Sequence, residues 1–235
     1  VLVLAGTAEA RAFCARAQVP VLASLAGAVR RPLAQGVPTR TGGFGGAAEF
    51  LAVLEAEGIG AVVDATHPFA ERITARTAAL CAQVGVPYLR LERPGWRAGP
   101  GDRWTWVADA AGAVGVIPAG AAVFLATGRQ TVGAVAGLSG PVWCRVIDAP
   151  EEVFPLAQGG WVVGRPPFAV ADEVALFRRL GVDWVVAKDS GAVEAEGKLA
   201  AAREMGLPVA MIRRPGPVAP RVETVEAALD WVAGL

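Results

Sequence analysis

Ala-Val-Val-Asp-Ala-Thr-His-Pro-Phe-Ala, residues 61–70, is the stretch on which the fold turns. The apolar run 59–63 has the length of a buried strand, and it stops in a polar turn holding Asp64, Thr66, His67 and Pro68. A helical pattern starts straight after, near Phe69. In open parallel sheets ligands sit beyond the carboxyl ends of the strands, in loops of this kind. His67 is the only histidine of the chain. A lone histidine packs or caps more often than it catalyses, so His67 is read as a positioning group and not as an obligatory acid.

Working outward, the same pattern recurs. Gly-Ile-Gly-Ala-Val-Val-Asp-Ala-Thr-His at 58–67 lies over Gly-Val-Asp-Trp-Val-Val-Ala-Lys-Asp-Ser at 181–190. Downstream, Gly-Val-Pro-Tyr-Leu-Arg-Leu-Glu-Arg-Pro-Gly at 85–95 mirrors Gly-Leu-Pro-Val-Ala-Met-Ile-Arg-Arg-Pro-Gly at 206–216. Each copy runs strand, polar loop, helix, strand, Arg-Pro-Gly. This internal duplication favours two domains in 235 residues. The stretch 93–102, rich in Pro and Gly, marks the boundary, which predicts domains at 1–92 and 103–235.

Before the quoted stretch, residues 1–5 form an apolar strand that runs into Gly6, Thr7, Ala8 and Glu9 and then a helix. A strand–Gly–helix turn lets a phosphate approach backbone amides and the positive end of a helix, and a plain turn is an equal reading of it. A second strand, 20–25, carries Ser24, followed by Arg30 and Arg31 with no acid between residues 20 and 40. At that position of a dinucleotide fold an acid suits NAD and an arginine the 2′-phosphate of NADP. A third strand, 37–40, enters Gly42, Gly43, Phe44, Gly45 and Gly46, a run that suits close ligand approach. Helices at 47–57 and 69–84 and strands at 59–63 and 86–91 complete a parallel sheet of predicted order 3-2-1-4-5. That order places Gly6–Glu9 beside Thr66–Pro68. In the second half, strands at 123–126, 161–163 and 184–187 again end in polar loops, and a helix at 222–233 closes the chain.

Composition narrows the function. Hydrophobic residues make up 54% and formal net charge is zero, so a large core is available and a broad nucleic-acid surface is disfavoured. Cys14, Cys81 and Cys144 have no metal-ligand spacing and no disulfide framework, so no metal is expected and the thiols read as buried in a cytoplasmic protein. No apolar run is long enough for a membrane span, and no export signal opens the chain. Of the 22 basic residues, only Lys188 and Lys198 are lysines. Where arginine is the default cation, a lysine implies a use for a compact ammonium.

Taken together, Leu4-Ala-Gly-Thr-Ala-Glu-Ala-Arg, Arg40-Thr-Gly-Gly-Phe-Gly-Gly, Asp64-Ala-Thr-His-Pro-Phe-Ala, Arg90-Leu-Glu-Arg-Pro-Gly-Trp, Leu125-Ala-Thr-Gly-Arg and Lys188-Asp-Ser-Gly resemble the precorrin-6A reductases of cobalamin biosynthesis. Ala5 stands where that family would have a glycine. The resemblance implies an α/β protein of two Rossmann-like domains, each a mainly parallel sheet flanked by helices, with the site in the cleft between them. It implies an NADPH-dependent reductase acting on a ring double bond of precorrin-6A, a polycarboxylate tetrapyrrole; the residues themselves carry no metal-cluster or flavin signal, as direct hydride transfer would allow. Lys188, Asp189 and Ser190 become candidates to position the ring or pass a proton, and Lys188, Arg129 and Arg145 to hold carboxylates. A monomer is expected. Two rivals stay open: a cofactor-free two-domain tetrapyrrole lyase, and a non-catalytic nucleotide-binding sensor.

Overall fold

The computed structural model describes residues 1–27, 30 and 32–235. The chain divides into two units: Val1–Pro94 with Pro215–Leu235, and Gly95–Arg214. In the first, strands β1 (Leu2–Leu4), β2 (Leu22–Leu25), β3 (Thr39–Thr41), β4 (Val62–Asp64) and β5 (Tyr88–Leu91) alternate with helices α1 (Ala8–Arg16), α2 (Ala47–Ala56) and α3 (Glu71–Val84). All pairings are parallel and the order is 3-2-1-4-5, as expected.

Burial explains why β1 reads as an unbroken apolar run. Leu2 and Leu4 point to one face, onto Phe50 and Leu54 of α2 and Leu80 and Cys81 of α3. Val3 and Ala5 point to the other, onto Phe13 and Cys14 of α1. A strand covered on both sides has no polar face.

The second unit holds β6 (Trp104–Val107), α4 (Ala110–Val114), β7 (Val123–Ala126), β8 (Val142–Val146), β9 (Gly159–Val163), α5 (Val170–Leu180), β10 (Trp184–Lys188), α6 (Gly197–Glu204) and β11 (Val209–Ile212). Its sheet order, 6-11-10-7-8-9, repeats that of the first with β7 to β11 standing for β1 to β5. The duplicated Gly58 and Gly181 both sit at left-handed φ, +57° and +62°, just after a helix and before the fourth strand of their unit. A side chain there would be strained, so both copies keep glycine.

The closing stretch corrects the predicted domain limits. β12 (Arg221–Val222) pairs with β5 in the first sheet, and α7 (Val225–Ala233) packs Ala228 and Val232 against the α1 side of that sheet. The second unit therefore ends at Arg214, not at residue 235. In both copies the chain leaves the fifth strand through Arg-Pro-Gly and supplies the outer strand of the other unit's sheet: β5 leads to β6, which pairs with β11, and β11 leads to β12, which pairs with β5. A capped helix follows each donated strand, α4 under Asp109 and α7 under Thr224. The two units have exchanged their edge strands.

Candidate functional site

At the carboxyl end of the first sheet, β1 and β4 are neighbours, so their loops meet. Thr7 donates its hydroxyl to the Ala65 carbonyl at 2.7 Å and caps α1 by accepting from Ala10 N at 3.1 Å. The expected proximity of Gly6–Glu9 to Thr66–Pro68 is thus present, and the Thr7 side chain is consumed in making it. Gly6 has φ +134°, is exposed, and an added Cβ there would meet nothing within 4 Å. The Glu9 carboxylate is taken by Arg93, the arginine of the first Arg-Pro-Gly.

Beneath this loop lies a network that sequence reading missed. Asp64 is fully buried, and its Oδ1 accepts from Thr66 N at 3.0 Å, Thr66 Oγ1 at 2.7 Å and Arg90 Nη1 at 2.8 Å. Its Oδ2 accepts from the Tyr88 hydroxyl at 3.0 Å. Arg90, 1% exposed, also donates to the Thr66 hydroxyl at 2.9 Å and the His67 carbonyl at 3.3 Å, and meets Glu92 at 3.0 Å. Burial and the neighbouring Asp64 charge push the Tyr88 hydroxyl far above its usual pKa, so it stays a donor. These bonds fix the backbone of the His67 turn. His67 itself is exposed and accepts from Phe69 N through Nδ1 at 3.2 Å, which leaves the proton of the neutral ring on Nε2. Pro68 is buried.

The glycine run follows β3. Phe44 is 7% exposed and packs edge-on against Phe50 at 4.9 Å, so its ring is a core anchor for the loop and not an open contact surface. Gly43 is exposed and an added Cβ would come no closer than 3.9 Å to Gly45 N, whereas Gly45 has φ +75°, where any side chain is strained. Ser24 is buried and accepts from Arg40 Nη1 at 2.8 Å. Arg40 was not among the expected cofactor residues. Its signal lay in its position: Ser24 and Arg40 are register partners on adjacent parallel strands, hence on one face. Arg30 is exposed, and Arg31 lies outside the described residues.

In the second unit, Lys188 ends β10, half-buried, and burial lowers its pKa. Asp189 is 7% exposed and works as a clasp. Its Oδ1 accepts from Trp96 N at 2.7 Å, and its carbonyl accepts from Arg214 Nε at 2.7 Å, with Oδ2 at 3.3 Å from the same nitrogen. Gly95 allows this, since a Cβ there would stand 2.4 Å from Asp189 Oδ2. Ser190 is 6% exposed and accepts from Ala192 N at 3.5 Å. Of the two arginines expected at substrate carboxylates, Arg129 is exposed and lies 3.9 Å from Glu152. Arg145 is spent internally: it meets buried Glu173 at 2.8 Å and stacks on Phe168 at 3.9 Å. Lys198 faces the Trp96 ring at 4.8 Å and donates to the Ala195 carbonyl; burial brings its pKa down to about 8. No cluster able to hold a metal ion occurs among the described residues, and none of their helices is long and apolar enough to cross a membrane.

The fold defines a doubly wound α/β protein with glycine-bearing loops at the first sheet's carboxyl end. A family model described as "Precorrin-6x reductase CbiJ/CobK" matches residues 1–233. The precorrin-6A reductase of Rhodococcus erythropolis is 44% identical over 245 aligned residues, covering 100% of this chain and 98% of the relative. That of Rhodobacter capsulatus is 42% identical, covering 99% and 95%. The solved structure "CobK precorrin-6A reductase" superposes with a TM-score of 0.93 at 42% identity, over 99% of this chain and 95% of that one. This chain belongs to the precorrin-6x reductase family, and it is an oxidoreductase.

Proposed function

We propose that this protein reduces a ring double bond of precorrin-6A to give precorrin-6B, using NADPH, in the cytoplasm and as a monomer. The observation that carries this reading is the full-length match, at 44% identity, to a relative named for that reaction. A cofactor-free lyase and a nucleotide sensor have no such support.

The first unit's residues fit a dinucleotide. Gly6 leaves space beside the first turn of α1, where amides and the helix dipole suit a diphosphate. Gly42, Gly43, Gly45 and Gly46 add a second stretch of glycine backbone, and His67 stands exposed in the loop after β4, which Thr7 ties to the Gly6 turn through the Ala65 carbonyl. NADPH, when bound, supplies the hydride. The chain's part is to hold donor and ring and to manage the proton that the reduced bond takes up at its second carbon. Lys188 is the residue we assign to the ring side, contacting a carboxylate or passing that proton, with Asp189 and Ser190 fixing its loop. Arg129 is open to a further carboxylate.

The test is direct. Purified protein, NADPH and precorrin-6A are mixed, with absorbance at 340 nm and product mass followed together. Loss of NADPH in step with a gain of two hydrogens by the macrocycle is expected. NADPH left unconsumed, or a mass change without its consumption, would overturn the reading.

A further inference from the structure

We infer that Arg40 is the residue that reads the 2′-phosphate of the cofactor, and that Ser24, Gly42, Gly43 and Phe44 exist around it to aim its guanidinium. The inference rests on the NADPH reading above and names the group that would carry the preference.

Arg40 is half-buried on β3, next to the glycine run. Its Nη1 donates to Ser24 Oγ at 2.8 Å and to the Gly42 carbonyl at 3.2 Å, and its Nη2 donates to the Gly43 carbonyl at 3.3 Å. One flat face lies over the Phe44 ring, 4.1 Å from its centroid. Every one of these partners is neutral. They hold the planar group in place without cancelling its charge. Arg90, Arg93, Arg145 and Arg214 are different, for each meets a carboxylate, and Arg11, half-buried on α1, donates only to the Thr7 carbonyl, at 3.2 Å. Among the described residues no carboxylate pairs with Arg40.

The bonds that exist leave the Nε–H and one Nη2–H, the two that fork onto an anion. A guanidinium fixed on one edge, stacked on one face and open along its second edge is set up for a tetrahedral dianion. Its address fits as well. It stands in register with Ser24, the next-to-last residue of β2, and the end of this strand is where a dinucleotide fold places the adenosine ribose. Aiming matters because a phosphate monoester bound by a loose arginine must first order that side chain.

The experiment is calorimetric titration of the full chain with two fragments, adenosine 2′,5′-bisphosphate and adenosine 5′-monophosphate, which need neither turnover nor substrate. The wild type should prefer the bisphosphate by about tenfold or more. Arg40→Gln should lower bisphosphate affinity by about 10- to 100-fold and leave the monophosphate within about twofold. Arg40→Lys should fall between, since it keeps the charge and loses the fork. Ser24→Ala should weaken the bisphosphate alone, by about threefold. Melting curves check each variant's fold. If Arg40→Gln does not fold, the lysine and alanine variants carry the test in the same terms. A preference untouched by Arg40→Gln or Arg40→Lys, or equal loss for both fragments, overturns the Arg40 assignment and leaves NADPH standing. A wild type that does not distinguish the fragments overturns both.

Discussion

The two units share one topology, yet each closes the carboxyl end of its fourth strand differently. In the first, Asp64 is the last residue of β4 and its register partner is Arg90 of β5, with both side chains 1% exposed or less. In the second, the equivalent positions are Ala187 and Met211, both buried, and an ion pair between Asp189 and Arg214 sits further along, with side chains 11% and 13% exposed. One unit buries its clamp to hold the His67 turn rigid. The other sets its clamp at the rim, where it fastens Trp96, and leaves Lys188 at the strand end. The duplicated frame differs in having a buried acid–base pair at these strand ends in the first unit and apolar residues there in the second.

Breaking the clamps gives the largest expected effects. Arg90→Ala leaves Asp64 as a buried, uncompensated charge and should cost ~3–5 kcal/mol in urea unfolding. Asp189→Ala removes bonds near the rim and should cost ~1–3 kcal/mol. Equal losses would erase the distinction drawn here. The next effect concerns function. Lys188→Ala should cost ~1–3 kcal/mol in turnover or precorrin affinity while NADPH affinity stays nearly intact. A loss well beyond that, confined to turnover, would make Lys188 the proton-transfer group, and unchanged kinetics would remove it from the site.

A smaller and cleaner probe is Gly43→Val. Gly43 does not need positive φ, and its Cβ position is open, so the fold accepts a side chain there. Dinucleotide affinity should still fall about tenfold or more, because the branched side chain takes the ligand's space. Gly45→Val should also abolish binding, but φ +75° makes it a test of the turn as well. Normal binding by Gly43→Val would show that the run serves only the chain's path.

How far the sequence foretold this can be seen residue by residue. The order 3-2-1-4-5 was legible because alternating strands and helices leave few right-handed windings. The returning strand was not. Arg221–Val222 is too short for any periodicity, and its place beside β5 is decided by tertiary pairing. Asp64 read as the first loop residue because a charge normally ends a strand, and only its partner two residues past Tyr88 makes its burial possible. Arg145 read as an open carboxylate contact because Glu173, 28 positions away, was invisible as its partner. The hydrogen bond of Arg40 to Ser24 was not legible, since it depends on a strand register that spacing does not give.

The least effect compares the two units' buried thiols. Burial pushes Cys81 in the first up to about 11 and Cys144 in the second up to about 12. Both should resist alkylation at pH 8 and react fully in urea. Their folded pKa values lie above the unfolded value of 9.0. The unfolded chain therefore loses these protons first, and the stability they contribute is present below pH 9 and lost as pH rises through about 11 and 12. Rapid labelling of either native thiol would contradict its burial.

The division of labour itself is tested most directly by a crystal structure with NADP and a precorrin bound. We predict the dinucleotide against Gly6–Glu9, the 42–46 run and Thr66–Pro68, its 2′-phosphate on Arg40, and the tetrapyrrole in contact with Lys188. A dinucleotide seated on the Lys188–Ser190 loop, with the glycine run of the first unit untouched, would contradict the account.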